Sequence, residues 1–202
     1  MKILAFVDLH GSAKALKKIE AESKKAGLIV CAGDLTIFEN NITRLFAHLN
    51  KLGKPVLIIQ GNHESNEHIS YLTNVFENIE DIHEKAFAIG NYLFLGYGGG
   101  GFSMVDKHFE RISKNFEKKI RKFRKRSEKA KIILVTHAPP YNTKIDNIMG
   151  NPCGNKSIKN FIKKVRPDLV VSGHLHENAG KEDKEGKTLL VNPGPFGKIV
   201  EV

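Results

Sequence analysis

The chain has no tryptophan, only two cysteines among 202 residues, and no long apolar run. Its uninterrupted apolar stretches reach five or six residues, such as Ile3–Val7. A membrane-crossing helix needs about 20, so no such span is expected. Only those five apolar residues separate Lys2 from Asp8, which leaves the start without the apolar core of a signal peptide. Cys31 and Cys153 are too few and too far apart for a disulfide framework or a CxxC metal site. Two free thiols and a cytoplasmic location are the expectation.

At this length, with 41% hydrophobic residues, the chain can bury one good core, and residues 1–202 are expected to form a single domain. The net charge is +10, but it is unevenly spread. From Lys107 to Lys131, twelve lysines and arginines stand against Glu110, Glu117 and Glu128, a net of +9, and the rest is nearly neutral. Phe109, Ile112, Phe116, Ile120 and Phe123 recur there in steps of three and four, which predicts an amphipathic helix with its basic face outward. That face reads as a solvated surface, as a contact for nucleic acid or another polyanion, or as a membrane contact.

Short β-branched runs alternate with helical spacing along the chain. Strands are expected over Lys2–Val7, Leu28–Ala32, Pro55–Gln60, Lys131–Thr136 and Asp168–Ser172. Ser12 can cap a first helix carrying Leu16 and Ile19, with Gly27 at its C-terminal glycine position; a second spans about Asn41–Leu52 and stops at Gly53. Such alternation predicts an α/β fold with a largely parallel sheet. Ala86–Ile89, Tyr92–Gly96, Thr188–Val191 and Lys198–Val202 suggest a second, more antiparallel sheet.

Each of the five stronger strands is followed at once by a metal-competent side chain. Asp8 and His10 follow the first, Asp34 the second, Asn62 and His63 the third, His137 the fourth, and His174 and His176 the fifth. Ligands of open α/β sheets bind beyond the carboxyl ends of the strands, so all eight should converge on one edge. Asp8, His10, Asp34, Asn62, His137, His174 and His176 offer seven donors, too many for one tetrahedral ion. A bridging Asp34 would give each of two ions four protein ligands. Structural zinc favours closed sites with cysteine, and no cysteine is among these donors, so a catalytic two-metal site is expected. The mixed donors suit Mn, Fe, Zn, Ni or Co and do not choose among them. Two such ions attract phosphate and can hold a bridging hydroxide for in-line attack on phosphorus. His63, left without a metal, is placed to assist the leaving oxygen.

"VDLHG" (7–11), "AGDL" (32–35), "GNHE" (61–64), "THAPP" (136–140), "SGHLH" (172–176) and the closing "NPGP" (192–195) resemble the ordered motifs of the calcineurin-like metallophosphoesterase superfamily. The resemblance implies a four-layer sandwich of two mixed β-sheets flanked by helices. It also implies one metal on Asp8, His10, Asp34 and His176, and a second on Asp34, Asn62, His137 and His174. The protein serine/threonine phosphatase branch carries "GDxxDRG", with an aspartate that steadies the catalytic histidine, whereas this chain reads "GDLTIFEN" from Gly33. "HAPPYNTKID" and "GHLHE" look more like the small branch related to Icc-type cyclic nucleotide phosphodiesterases.

The resulting expectation is a binuclear metal-dependent phosphoesterase acting on phosphodiesters. A nuclease using the basic helix is a second reading. A non-catalytic scaffold is a third, and it would predict eroded ligands, which this chain does not show. "GYGGGG" (96–101) reads as a flexible turn or as a substrate-facing loop, and lacks the GK[ST] ending of a P-loop. Pro139-Pro140 should fix the chain leaving His137, with the loop up to Gly154 as a candidate cleft wall.

Overall fold

The computed structural model describes residues 1–202. Thirteen strands and five helices follow one another: β1 (Lys2–Phe6), α1 (Ala13–Ser23), β2 (Leu28–Cys31), α2 (Ile42–Lys51), β3 (Val56–Ile58), α3 (Asn66–Thr73), β4 (Ile79–Asp81), β5 (Ala86–Ile89), β6 (Tyr92–Tyr97), α4 (Lys107–Arg124), β7 (Lys131–Thr136), β8 (Asn147–Ile148), β9 (Asn151–Pro152), α5 (Lys156–Val165), β10 (Leu169–Val171), β11 (Glu182–Glu185), β12 (Thr188–Val191) and β13 (Lys198–Glu201). A single 3-10 turn covers His176–Asn178.

The large strands form two mixed sheets. One runs β13-β1-β2-β3-β4, parallel except for β13; the other runs β11-β12-β10-β7-β6-β5, parallel in its middle with β11 and β5 antiparallel at the edges. Side chains alternate across each strand, and this sorts the core into three layers. Leu4, Phe6, Ile29 and Ile58 face Ile19 of α1, Phe46 of α2 and Ile69 of α3. Ile3, Ala5, Val7 and Val30 face Phe94, Ile133, Val135 and Val171 across the gap between sheets. Leu95, Ile132, Leu134 and Val170 face Phe109, Phe116, Phe161 and Ile162 of α4 and α5. The result is helices, sheet, sheet, helices, the four-layer sandwich expected.

Three sequence expectations need correcting. The five stronger strands do not share one sheet, because β7 and β10 lie beside β6 and β12 in the second. That second sheet is parallel through its centre, and the tail strand β13 pairs with β1 instead, Lys2 opposite Glu201. Apolar runs buried on both faces carry no mark of which sheet they join. Gly27 does not end α1: Lys24 caps the helix in right-handed conformation, and the Gly27 N–H instead donates to Lys2 O at 3.0 Å. Ser12 does cap α1, and Gly53, with φ of 62°, does follow α2. Neither α3 nor α5 is among the expected elements.

The α4 stripe is as expected, with Phe109, Phe116 and Ile120 buried and Ile112 and Phe123 packed against the same cluster. No helix is long and apolar enough to cross a membrane. Cys31 and Cys153 are free, Cys31 fully buried.

Candidate metal centre

The carboxyl ends of β1, β2, β3, β7 and β10 meet at one edge of the sandwich, and the eight candidate residues gather there. Four of them, Asp8, His10, Asp34 and His174, hold positive φ angles of 48° to 68°. Left-handed backbone is uncommon outside glycine and clusters at functional sites. Here it falls in the loops that follow β1, β2 and β10.

Glycines allow the loops to close on one another. A Cβ on Gly61 would lie 1.9 Å from Asp34 Oδ1, one on Gly33 2.8 Å from His137 Nδ1, and one on Gly173 2.9 Å from Asp8 Oδ2. Asp34 Oδ1 accepts the backbone N–H groups of Asn62 at 2.8 Å and His63 at 3.1 Å. Its other oxygen, Oδ2, lies 3.4 Å from His137 Nε2, 3.8 Å from His10 Nε2 and 4.0 Å from His63 Nε2.

Around that oxygen the other donor atoms crowd together. His10 Nε2 lies 3.1 Å from His176 Nε2, and His176 Nε2 lies 3.9 Å from Asp8 Oδ1. Asn62 Oδ1 lies 3.0 Å from His137 Nε2 and 2.9 Å from His174 Nδ1. Asp8, His10 and His176 bring donor atoms within 4.8 Å of one another, and so do Asp8, Asp34 and His137. His10, Asp34 and His63 form a third such group, so the clusters overlap at Asp8, His10 and Asp34.

The arrangement fits a cation. The His10 and His137 rings donate through Nδ1–H to the carbonyls of Thr36 (3.0 Å) and Ala32 (2.9 Å), which turns both Nε2 atoms inward. His137 Nε2 then faces only acceptors, Asn62 Oδ1 and Asp34 Oδ2. A proton or a metal ion placed among them would balance these acceptors. Asp8 and Asp34 are buried, and their only ionic neighbours are histidines. Buried carboxylates without a lysine or arginine partner call for another counter-charge.

The same contacts shift the titrations. Burial lifts the Asp8 carboxyl above the ordinary range, against the pull of the His137 and His176 imidazoles. Burial also works against the Asp34 carboxylate, but the His137 ring and the His63 N–H outweigh it and hold its pKa at about 2. Burial pushes His137 down, yet Asp34 and Asp8 together raise it above its ordinary value. Burial, with the nearby His137 ring, lowers His174 to about 4, leaving it neutral near pH 7.

A model of the calcineurin-like phosphoesterase family matches residues 1–178. The chain belongs to this family. It is also 32% identical over 210 aligned residues to an uncharacterized protein of Methanocaldococcus jannaschii, covering 99% of this chain and 91% of that one. A solved structure from Thermus thermophilus shares the fold with a TM-score of 0.71 at 19% identity, over 96% of this chain and 88% of that one. A dimetal phosphatase from Danio rerio does so with a TM-score of 0.66 at 11% identity, over 94% and 86%.

Within this family fold, His63 groups with His10 and Asp34, their donor atoms within 4.8 Å of one another. Its Nδ1 is buried without a hydrogen-bond partner. Ile37, at the place of the second aspartate in "GDxxDRG", is half exposed, and the Phe38 ring packs edge-on against His63 at 4.6 Å. Sequence reasoning missed Glu64, whose buried carboxylate accepts the N–H groups of Asp34, Thr36 and Gly61 and the Thr36 hydroxyl, all at 2.8–3.1 Å. It ties the loop of Asp34 to the loop of Asn62. Its one signal in the sequence is its place in "GNHE", next to His63. The glycine loop is anchored to the third strand's loop, Gly99 N–H donating to Gln60 O at 3.0 Å, and it carries Phe102 to within 4.9 Å of the His174 ring. The loop after Pro139-Pro140 borders the site from the other direction, since Asn178 Nδ2, in the turn that begins at His176, donates to Asn147 O at 3.0 Å.

Proposed function

We propose that this chain is a phosphodiesterase working with two divalent ions, one on Asp8, His10, Asp34 and His176 and the other on Asp34, Asn62, His137 and His174. The observation that carries this reading is the position of Asp34 Oδ2 amid inward-turned imidazoles, with no lysine or arginine to balance it. Ions bound there supply Lewis acidity to a phosphoryl group and lower the pKa of water towards about 7. The residues do the rest. Asp34 joins the two sets, while the carbonyls of Ala32 and Thr36 fix the tautomers of His137 and His10. His63, which belongs to neither set, delivers a proton to the departing ester oxygen, a role worth typically ~10²–10⁴-fold.

A small diester suits this molecule better than a polynucleotide. Helix α4 leaves β6 near the site and returns to the start of β7, so its last turns lie at the opposite edge of the sheet. The basic residues Arg121, Lys122 and Arg124 crowd that far end, where they favour the helix dipole, and Arg124 donates to the carbonyls of Val165 and Arg166. Charge placed there does not lead a backbone into the site.

The test is to strip the protein of metal, restore Mn²⁺, Ni²⁺, Zn²⁺ or Mg²⁺ separately, and assay bis-p-nitrophenyl phosphate beside p-nitrophenyl phosphate. Metal-dependent turnover, faster on the diester and lost in Asp34→Ala and His63→Ala, is expected. Turnover confined to the monoester would overturn the diester assignment, and no turnover with any metal would overturn the enzyme reading.

A further inference from the structure

Two phenylalanines lean on the histidine cluster from the solvent side. Phe38 is 78% exposed and its ring lies 4.6 Å from His63; Phe102 is 67% exposed and lies 4.9 Å from His174. Rings left in water forgo the gain that burial would bring, so neither position serves the core.

Both are nevertheless held in place. Phe38 has φ of 47° and Glu39 of 61°, a conformation that is a genuine outlier for a bulky side chain and persists only where its surroundings impose it. The constraint is visible. Glu39 accepts the N–H and O–H of Ser65, both at 2.7 Å, and faces His68 Nδ1 at 2.9 Å, while Glu64 holds Thr36 on the other side of Phe38. Phe102 is anchored before and after: Gly99 N–H donates to Gln60 O, Asn155 Nδ2 to Ser103 O at 2.9 Å, and Lys156 N–H to Met104 O at 2.7 Å.

We infer that Phe38 and Phe102 are specificity-determining residues that receive a planar aromatic ring on the organic part of the phosphate ester, an aryl or nucleobase-bearing group. The inference rests on the phosphoesterase reading above. Aromatic faces favour another ring in offset or edge-on contact at 4.5–7 Å. The two rings already touch His63 and His174 at such separations, so a ring on the ester would meet them beside the reacting phosphorus. A saturated group of equal size offers apolar area but no matching face.

The experiment holds the leaving group constant. Methyl, cyclohexyl and phenyl p-nitrophenyl phosphates are compared on the Mn²⁺-loaded protein; in each, water oxygen bonds to phosphorus and the bond to p-nitrophenolate breaks. The phenyl ester should show kcat/KM above the other two by roughly two- to tenfold per contacting ring. That preference should fall towards unity in the Phe38→Ala/Phe102→Ala double variant and persist in the corresponding double tyrosine variant. Calorimetry should show phenylphosphonate binding more tightly than methylphosphonate, with the difference lost in the alanine variant. Equal turnover of the three esters, equal turnover of cyclohexyl and phenyl, or a phenyl preference that survives both alanines would overturn the inference while leaving the phosphoesterase reading intact. No turnover of any ester would remove that reading instead, and phosphonates that bind equally well would then dispose of the inference too.

Discussion

The Nε2 atoms of His10 and His176 lie 3.1 Å apart although 166 residues separate them in the chain. Two ring nitrogens meeting in this way suit a shared ion, since each can ligate at about 2.0–2.1 Å. Replacing His176 with alanine should therefore remove one ion of two and spare the set around Asn62. Elemental analysis after dialysis should give close to one metal per chain for this variant.

Gly61 is where the second and third loops touch. A methyl group there would lie 1.9 Å from Asp34 Oδ1 and 2.5 Å from the Asp34 backbone nitrogen. Gly61→Ala should cost about 1–3 kcal/mol, as overpacking does, and should reduce metal affinity as well. Gly27→Ala meets nothing within 4 Å and is the matched control. Urea unfolding of the two variants separates the cases.

Glu64 gathers three backbone donors and one hydroxyl from the loops that follow β2 and β3. Glu64→Ala leaves these donors without their partner and should destabilise the protein by about 3 kcal/mol or more, since bonds to charged groups contribute about 1.5–3 kcal/mol each. Glu64→Gln keeps one acceptor oxygen and should cost less. Denaturant midpoints at constant slope would show the order.

The Glu39 contact gives a pH dependence with a definite sign. His68, then the Ser65 N–H and hydroxyl, pull the Glu39 carboxyl from 4.5 to about 2. A group with a lowered folded pKa stabilises above its unfolded value and loses that effect as pH falls through the folded one. The contribution should be complete above pH 4.5 and gone near pH 2. The melting temperature of the parent should exceed that of Glu39→Gln at about pH 6, and the two should converge towards about pH 2.

The ends of the strands were legible and their grouping was not. Asp8, Asp34, Asn62, His137 and His174 could be placed because each ends an apolar run, and a parallel α/β sheet sends all such ends to one edge. Nothing in Ile132–Val135 or Leu169–Val171 distinguishes one doubly covered sheet from the other, so β7 and β10 were expected beside β1. Strand β4 is three residues with a glutamate at its centre and gives no periodic signal. Helix α5 did leave one: Asn155 caps it, and Ile158, Phe161, Ile162 and Val165 step by three, one and three. Glu64 and Phe38 were invisible for another reason. Glu64 reaches backbone groups 28 and 30 residues away as well as Gly61, and Phe38 depends on an unusual φ that only tertiary contacts impose.

The claim on which the rest depends is that Asp34 sits between two ions. Crystals soaked in Mn²⁺ and measured at the manganese absorption edge test it directly. Two anomalous peaks about 3.5–4 Å apart, with Asp34 Oδ2 between them, are expected. One peak, or two peaks that do not share Asp34, would contradict it.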